Sequence, residues 1–212
     1  MQLLDVHANS LATSSALSGY YMNTTVLPLP IISVLNAEGI NFVLAGAHGV
    51  GGWMDDPRAT QDVDVVVATR HHKKAIKALL SAFPILEADD HPAVTRLRDQ
   101  NTKKVRIDII KPTQQLFRDA LKHTHVVTQE GQTYKIPSLE MALAMKFAAM
   151  ISPHRQDEDK HQDAHDFIRI VKSNKEVDLQ KLTTFGDLVY NGGGAELLEK
   201  VRQVRAGEKL NL

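Results

Sequence analysis

The sequence predicts an α+β fold: a small mixed β-sheet flanked by helices, followed by a mainly helical C-terminal subdomain. Three observations predict it. Short Val- and Ile-rich segments that alternate or run apolar fall at residues 41–46, 62–67, 93–98 and 104–110, all in the first half of the chain. Helical periodicity takes over after Lys111-Pro112. The chain has 212 residues with 43% hydrophobic content, enough to bury a core as one domain or two small ones. The expected division is an N-terminal extension over 1–29, a core over 30–112 and the helical subdomain over 113–212.

Residues 1–24 have no clear periodicity, and Asn9-Ser10, Thr13-Ser14-Ser15 and Asn23-Thr24-Thr25 mark flexible or capping material. A short helix near Pro30 to Glu38 leads into a first strand, Asn41 to Gly46. A glycine-rich turn and helix start follow, from Gly46 through Trp53. Asp62 to Val67 is the next strand, and His71-His72-Lys73-Lys74 is a solvated helix start. Residues 93–98 and 104–110 form a hairpin across Asp99-Gln100-Asn101-Thr102. Beyond Pro112, His125–Thr128 and Tyr134–Ile136 flank Glu130-Gly131-Gln132 as a second hairpin.

Pro137-Ser138 announces a helix over Leu139 to Ile151, with Ser138 as its cap. It is apolar nearly all round, which requires burial, yet Lys146 sits inside its i, i+3, i+4 stripe. An ammonium there needs a charge partner or an opening to a polar cleft. The next helix, Asp157 to Lys172, turns Ala164, Phe167, Ile168 and Val171 inward. Asp163 borders that stripe, while Asp166 is expected to point away from it. Asn191-Gly192-Gly193-Gly194 separates two final amphipathic helices.

Asp62 and Asp64 carry the chemistry. Alternate residues of a strand share a face, so the two carboxylates stand about 7 Å apart and repel unless a cation lies between them. A hard divalent ion such as Mg2+ suits carboxylate and phosphate oxygens together. The glycines from Gly46 to Gly52 let backbone N–H groups approach an anion closely, and a following helix adds its positive end. A phosphate cradle ahead of metal-binding carboxylates is what phosphoryl or nucleotidyl transfer requires. A dinucleotide fold is excluded: the glycines run Gly-x-x-Gly-x-Gly-Gly, and a ribose-binding acid ends its strand, whereas Asp62 and Asp64 begin theirs.

Gly46-Ala47 followed by Arg58-x-Thr60-x-Asp62-x-Asp64 resembles the signature of the polymerase-β-type nucleotidyltransferase superfamily, in its AbiEii-like branch of toxin–antitoxin enzymes. The resemblance spans roughly residues 30–172. It implies nucleotide contacts from Gly46, Ala47, Arg58 and Thr60, with Mg2+ (one ion or two) on Asp62, Asp64 and a third acid on a later strand. Asp108 qualifies: Val105, Ile107 and Ile109 share one face of their strand, and Asp108 shares the other with Arg106. The resemblance further implies that Lys146 meets the nucleotide's phosphates, and it carries a functional role to Asp163. Whether Asp163 orients Lys146, binds metal or helps deprotonate the acceptor stays open. The expected reaction transfers a nucleoside monophosphate from a nucleoside triphosphate to a hydroxyl of a tRNA end or a protein, with an antitoxin protein as partner. The alternatives are an aminoglycoside acceptor and a catalytically silent member. Ala47, where a glycine or serine is usual, and Gln162, where a lysine is usual, favour the silent one.

The remaining composition excludes other classes. No cysteine is present, so there is no disulfide framework or thiol nucleophile. The 25 basic and 25 acidic residues cancel, so no overall basic field advertises a duplex partner. No secretory signal or bilayer-length apolar run occurs, and a cytoplasmic protein without membrane contact is expected. His161 and His165 are four apart on a helix, but Gln162 stands where a zinc protease needs Glu, so they are expected to be solvated.

Overall fold

A computed structural model describes residues 27–210. The expectations for residues 1–24 lie outside the described residues. The first helix, α1 (Pro28–Ala37), starts on prolines whose missing N–H costs nothing at a helix N-terminus. Strand β1 (Phe42–Leu44) follows, then the five-residue helix α2 (Gly46–Val50) and a 3-10 turn, Gly51–Trp53. Strand β2 (Val63–Val67) begins one residue after Asp62, and α3 (His72–Ala82) follows. Strands β3 (Leu86–Asp90), β4 (Val94–Asp99) and β5 (Val105–Ile110) complete the sheet.

The sheet is five-stranded and mixed, in the order β1-β2-β5-β4-β3. Only β2 and β5 are parallel, and the other pairings are antiparallel. Val63, Val65, Ile107 and Ile109 are fully buried, whereas Asp64 and Asp108 between them are part-exposed. Alternation thus gives one face to the core and the other to the acids. The expected hairpin of β4 and β5 is present, with Asp99 accepting from the N–H groups of Asn101 and Thr102 in its turn at 2.9 and 2.7 Å. Those two bonds, that to Thr102 foremost, hold the Asp99 carboxyl below the usual carboxylate range.

After β5 comes a short helix, α4 (Gln115–Ala120), and the expected second hairpin of β6 (Thr124–Gln129) and β7 (Gln132–Pro137). The chain divides into two compact units after Pro137, so residues 113–137 fall with the sheet and not with the later helices. The reason is packing: β7 lies against β1 and α1. The second unit holds α5 (Leu139–Met150), α6 (Asp157–Ser173), α7 (Leu179–Asp187) and α8 (Gly193–Ala206), together with Trp53–Asp55. Asn174 Nδ2 donates to the Trp53 carbonyl at 2.8 Å, and Ser173 Oγ accepts from the Asp55 N–H at 3.1 Å, which ties that stretch to the end of α6. No helix among the described residues is long and apolar enough to cross a membrane.

One expected surface segment is not at the surface. His71 and His72 are engaged: His71 Nδ1 accepts from the Asn41 N–H at 2.8 Å, and His72 is buried with Nε2 2.9 Å from Thr95 Oγ1. Local polarity suggested solvation, but α3 lies against the sheet and its first turn faces β4.

Candidate active site

In the sheet unit, the register of β2 and β5 sets Asp64 directly beside Asp108. Register partners of a parallel ladder project from the same face, so the two expected metal ligands share it. Asp62 precedes Asp64 by two residues, and its Oδ1 accepts a short hydrogen bond from Thr60 Oγ1. Thr60 is therefore turned onto an acid. Arg58 is half-buried and donates to the Ala59 carbonyl at 3.4 Å.

Gly46 makes the closest approach to these acids. Its φ is +55°, and a Cβ built there would lie 1.7 Å from Asp64 Oδ2. Only glycine fits, on conformation and on space. The Ala45 N–H donates to the Asp64 carbonyl at 2.8 Å, so backbone and side chain both pin the turn to Asp64. Helix α2 begins at that turn. With only five residues it contributes first-turn N–H groups more than a macrodipole, and its first internal bond runs from the Gly49 N–H to the Ala45 carbonyl at 2.7 Å. Ala47 is buried in the same turn, which gives the second motif position a packing role.

Two arginines border the acids. Arg96 on β4 is the register partner of Asp108, and its Nε lies 3.9 Å from Asp108 Oδ1. Sequence reasoning missed it; pairing of β4 with β5 was the available signal. Arg106, two residues before Asp108 on the same strand face, is 5% exposed.

The donor set fits a hard cation: three carboxylates meet on one strand face, beside a turn that any Cβ would obstruct. The side chains are not gathered into a ready-made coordination set, since among the described residues no three His, Cys, Asp or Glu side chains stand at metal-holding positions. Like charges repel, and these acids take separate neighbours: Thr60 for Asp62, the Gly46 turn for Asp64, Arg96 for Asp108.

In the helical unit, Ser138 Oγ accepts from the Met141 N–H and caps α5 as expected. Lys146 is 6% exposed and does not snorkel. Its Nζ donates to Asp163 Oδ1 at 2.9 Å and to Asp166 Oδ2 at 2.7 Å. Arg155 Nη2 lies 3.0 Å from the other oxygen of Asp163, so two cations face two carboxylates. The expected closeness of Asp163 to Lys146 is present. Asp166 is a correction: it does not point away from the buried stripe but is fully buried on Lys146. Asp163 and Asp166 are three apart on α6, hence on one side, and the buried arc runs through Asp163, Asp166, Phe167 and Ile170, leaving Ile168 at its margin. Placing the stripe on apolar residues alone set its centre too far round. His161 and His165 are exposed, and His161 Nδ1 lies 2.6 Å from the Asp157 carbonyl.

Comparison with known proteins agrees with this geometry. An antigenic nucleotidyltransferase-like protein from Paracoccidioides brasiliensis superposes with TM-score 0.50 and 20% identity, over 84% of this chain and 90% of that one. The antibiotic-resistance factor ANT(2'')-Ia superposes with TM-score 0.51 and 8% identity, over 84% and 95% of the two chains. At such identities the likeness shows the fold, which is that of nucleotidyltransferases. No curated protein sequence matches the chain. The family described as "Nucleotidyl transferase AbiEii toxin, Type IV TA system" matches residues 33–191, well over half of the 212. The chain belongs to the AbiEii nucleotidyltransferase family.

Proposed function

We propose that this protein transfers a nucleoside monophosphate from a nucleoside triphosphate to a hydroxyl acceptor, as the toxin of a cytoplasmic toxin–antitoxin pair. The observation that carries the reading is the Asp64–Asp108 register pair with the Gly46 turn pressed on Asp64. Family membership supports nucleotidyl transfer, and the toxin role and antitoxin partner follow the family description.

In the reaction the acceptor oxygen bonds to the α-phosphorus, the bond from that phosphorus to the pyrophosphate oxygen breaks, and the hydroxyl proton departs. Asp62, Asp64 and Asp108 would hold Mg2+, which supplies Lewis acidity toward the phosphates and the attacking hydroxyl. The N–H groups of the Gly46-Ala47 turn receive phosphate oxygens, and Arg58 offsets the charge that builds on them. Thr60 fixes the Asp62 carboxylate through its hydroxyl. Lys146 gives two of its three N–H donors to Asp163 and Asp166, which leaves one for a phosphate. Asp163 then acts as the residue that orients Lys146.

The test is incubation with each labelled triphosphate, Mg2+, total RNA and the protein itself, for wild type and Asp64→Asn. Label on RNA or protein from wild type, lost in Asp64→Asn at unchanged melting temperature, is the expected result. No label from any triphosphate, with no Mg2+-dependent thermal shift, would establish the catalytically silent reading that Ala47 and Gln162 favour.

A further inference from the structure

Arg106 has no obvious employment in the fold. Its guanidinium is permanently charged, yet the residue is only 5% exposed and its Nε is buried with no hydrogen-bond partner. Among the described residues no carboxylate stands within ion-pair distance of it. Its field reaches Asp99, but that carboxylate is already committed to the N–H groups of Asn101 and Thr102. A charge withdrawn from water without a partner is costly, and the cost is recovered when an anion arrives.

The position of Arg106 indicates which anion. The strand order runs β1-β2-β5, so the turn after β1 and the residues of β5 flank β2 on opposite sides. Gly46 presses on Asp64 from the β1 side, and Arg106 precedes Asp108 by two residues on the β5 side, on the acid-bearing face. Adjacent strands are about 4.8 Å apart, so some 10 Å separates the two flanks, with Asp62 and Asp64 between them. In phosphoryl transfer the entering and leaving oxygens lie roughly in line on opposite sides of phosphorus. If the Gly46 turn receives the departing pyrophosphate, the β5 flank receives the acceptor.

We propose that Arg106 binds a phosphodiester of the acceptor, so that the site selects the hydroxyl end of a nucleic acid over a cationic small molecule or a neutral protein hydroxyl. This rests on the nucleotidyl-transfer reading above and adds the class of acceptor to it. Arg96, 41% exposed beside Asp108, lies on the same flank and extends the positive border.

The experiment compares wild type, Arg106→Met and Arg106→Lys in three measurements. These are affinity for a short single-stranded RNA by fluorescence anisotropy at several salt concentrations, affinity for Mg2+–triphosphate by calorimetry, and melting temperature. Arg106→Met is expected to weaken RNA binding about tenfold to a hundredfold, the range for one lost charge-assisted hydrogen bond. Its log–log salt slope should shrink by about 0.7, the value for one single-strand phosphate contact. Triphosphate affinity should stay within twofold, melting temperature should hold or rise, and Arg106→Lys should recover part of the RNA affinity. Equal RNA affinities overturn the inference. So does a lowered melting temperature with binding intact, which would make Arg106 a structural partner of Asp99. An equal loss of triphosphate affinity would move Arg106 to the donor and overturn it too. If wild type binds triphosphate but no RNA, this inference fails alone; if it binds neither, the nucleotidyl-transfer reading fails with it.

Discussion

Replacing Lys146 by Met removes one charge from a buried set of four and strands two carboxylates. Asp163 and Asp166 have side chains 7% and 0% exposed, and Lys146 lies 2.9 and 2.7 Å from them. Arg155 compensates only in part, because it faces Asp163 alone and its side chain is 44% exposed. Breaking a buried ion pair on one side costs about 3–5 kcal/mol, since the surviving charge keeps its desolvation penalty and loses its partner. Lys146→Met should therefore lose about that much stability in urea unfolding followed by circular dichroism. The sequence by itself argues the opposite sign, because a lone lysine on an apolar stripe gains from becoming Met. The double variant Lys146→Met/Asp166→Asn should regain about 1–3 kcal/mol, since an amide tolerates burial better than an unpaired carboxylate. A single variant within about 0.5 kcal/mol of wild type would refute the reasoning, as surface substitutions scatter that much.

Gly46→Ala should cost about 1–2 kcal/mol from its left-handed backbone alone, and the new Cβ, 1.7 Å from Asp64 Oδ2, must turn that carboxylate aside. Thermal melting should show the first effect and calorimetry with Mg2+–triphosphate a lost or much weakened binding; retained full affinity would show that the turn does not position Asp64. Burial holds the His72 imidazole below its ordinary value of 6.5, with Lys111 adding to this and Asp90 opposing it. In the window from 6.5 down to that lowered value the unfolded chain binds the extra proton, so stability rises with pH and falls on acidification. Melting curves through that window should be flatter for His72→Gln, and parallel curves would exclude His72 as the source.

Much of the catalytic layout is local, and local features are legible in a sequence. The Asp62-x-Asp64 pair needs only a strand's two-residue period to share a face, and Asp108 follows from the alternation of Val105, Ile107 and Ile109. Ser138 and the apolar helix after it were equally readable, because a cap and its first turn are neighbours in the chain. Which atoms meet across the fold is another matter. That Asp64 lies beside Asp108, that Gly46 abuts Asp64, and that Arg96 faces Asp108 depend on strand order and register, which join residues far apart in sequence. The second carboxylate on Lys146 was hidden for a related reason. Helical periodicity marks an apolar stripe, but a buried charge pair contributes to the same arc without being apolar, so Asp166 reads as surface until Lys146 is brought against it. Charge and spacing along the chain thus determined the kind of site, while pairing between distant segments decided which charges are shared, which are shielded and which, like Arg106, are held in reserve.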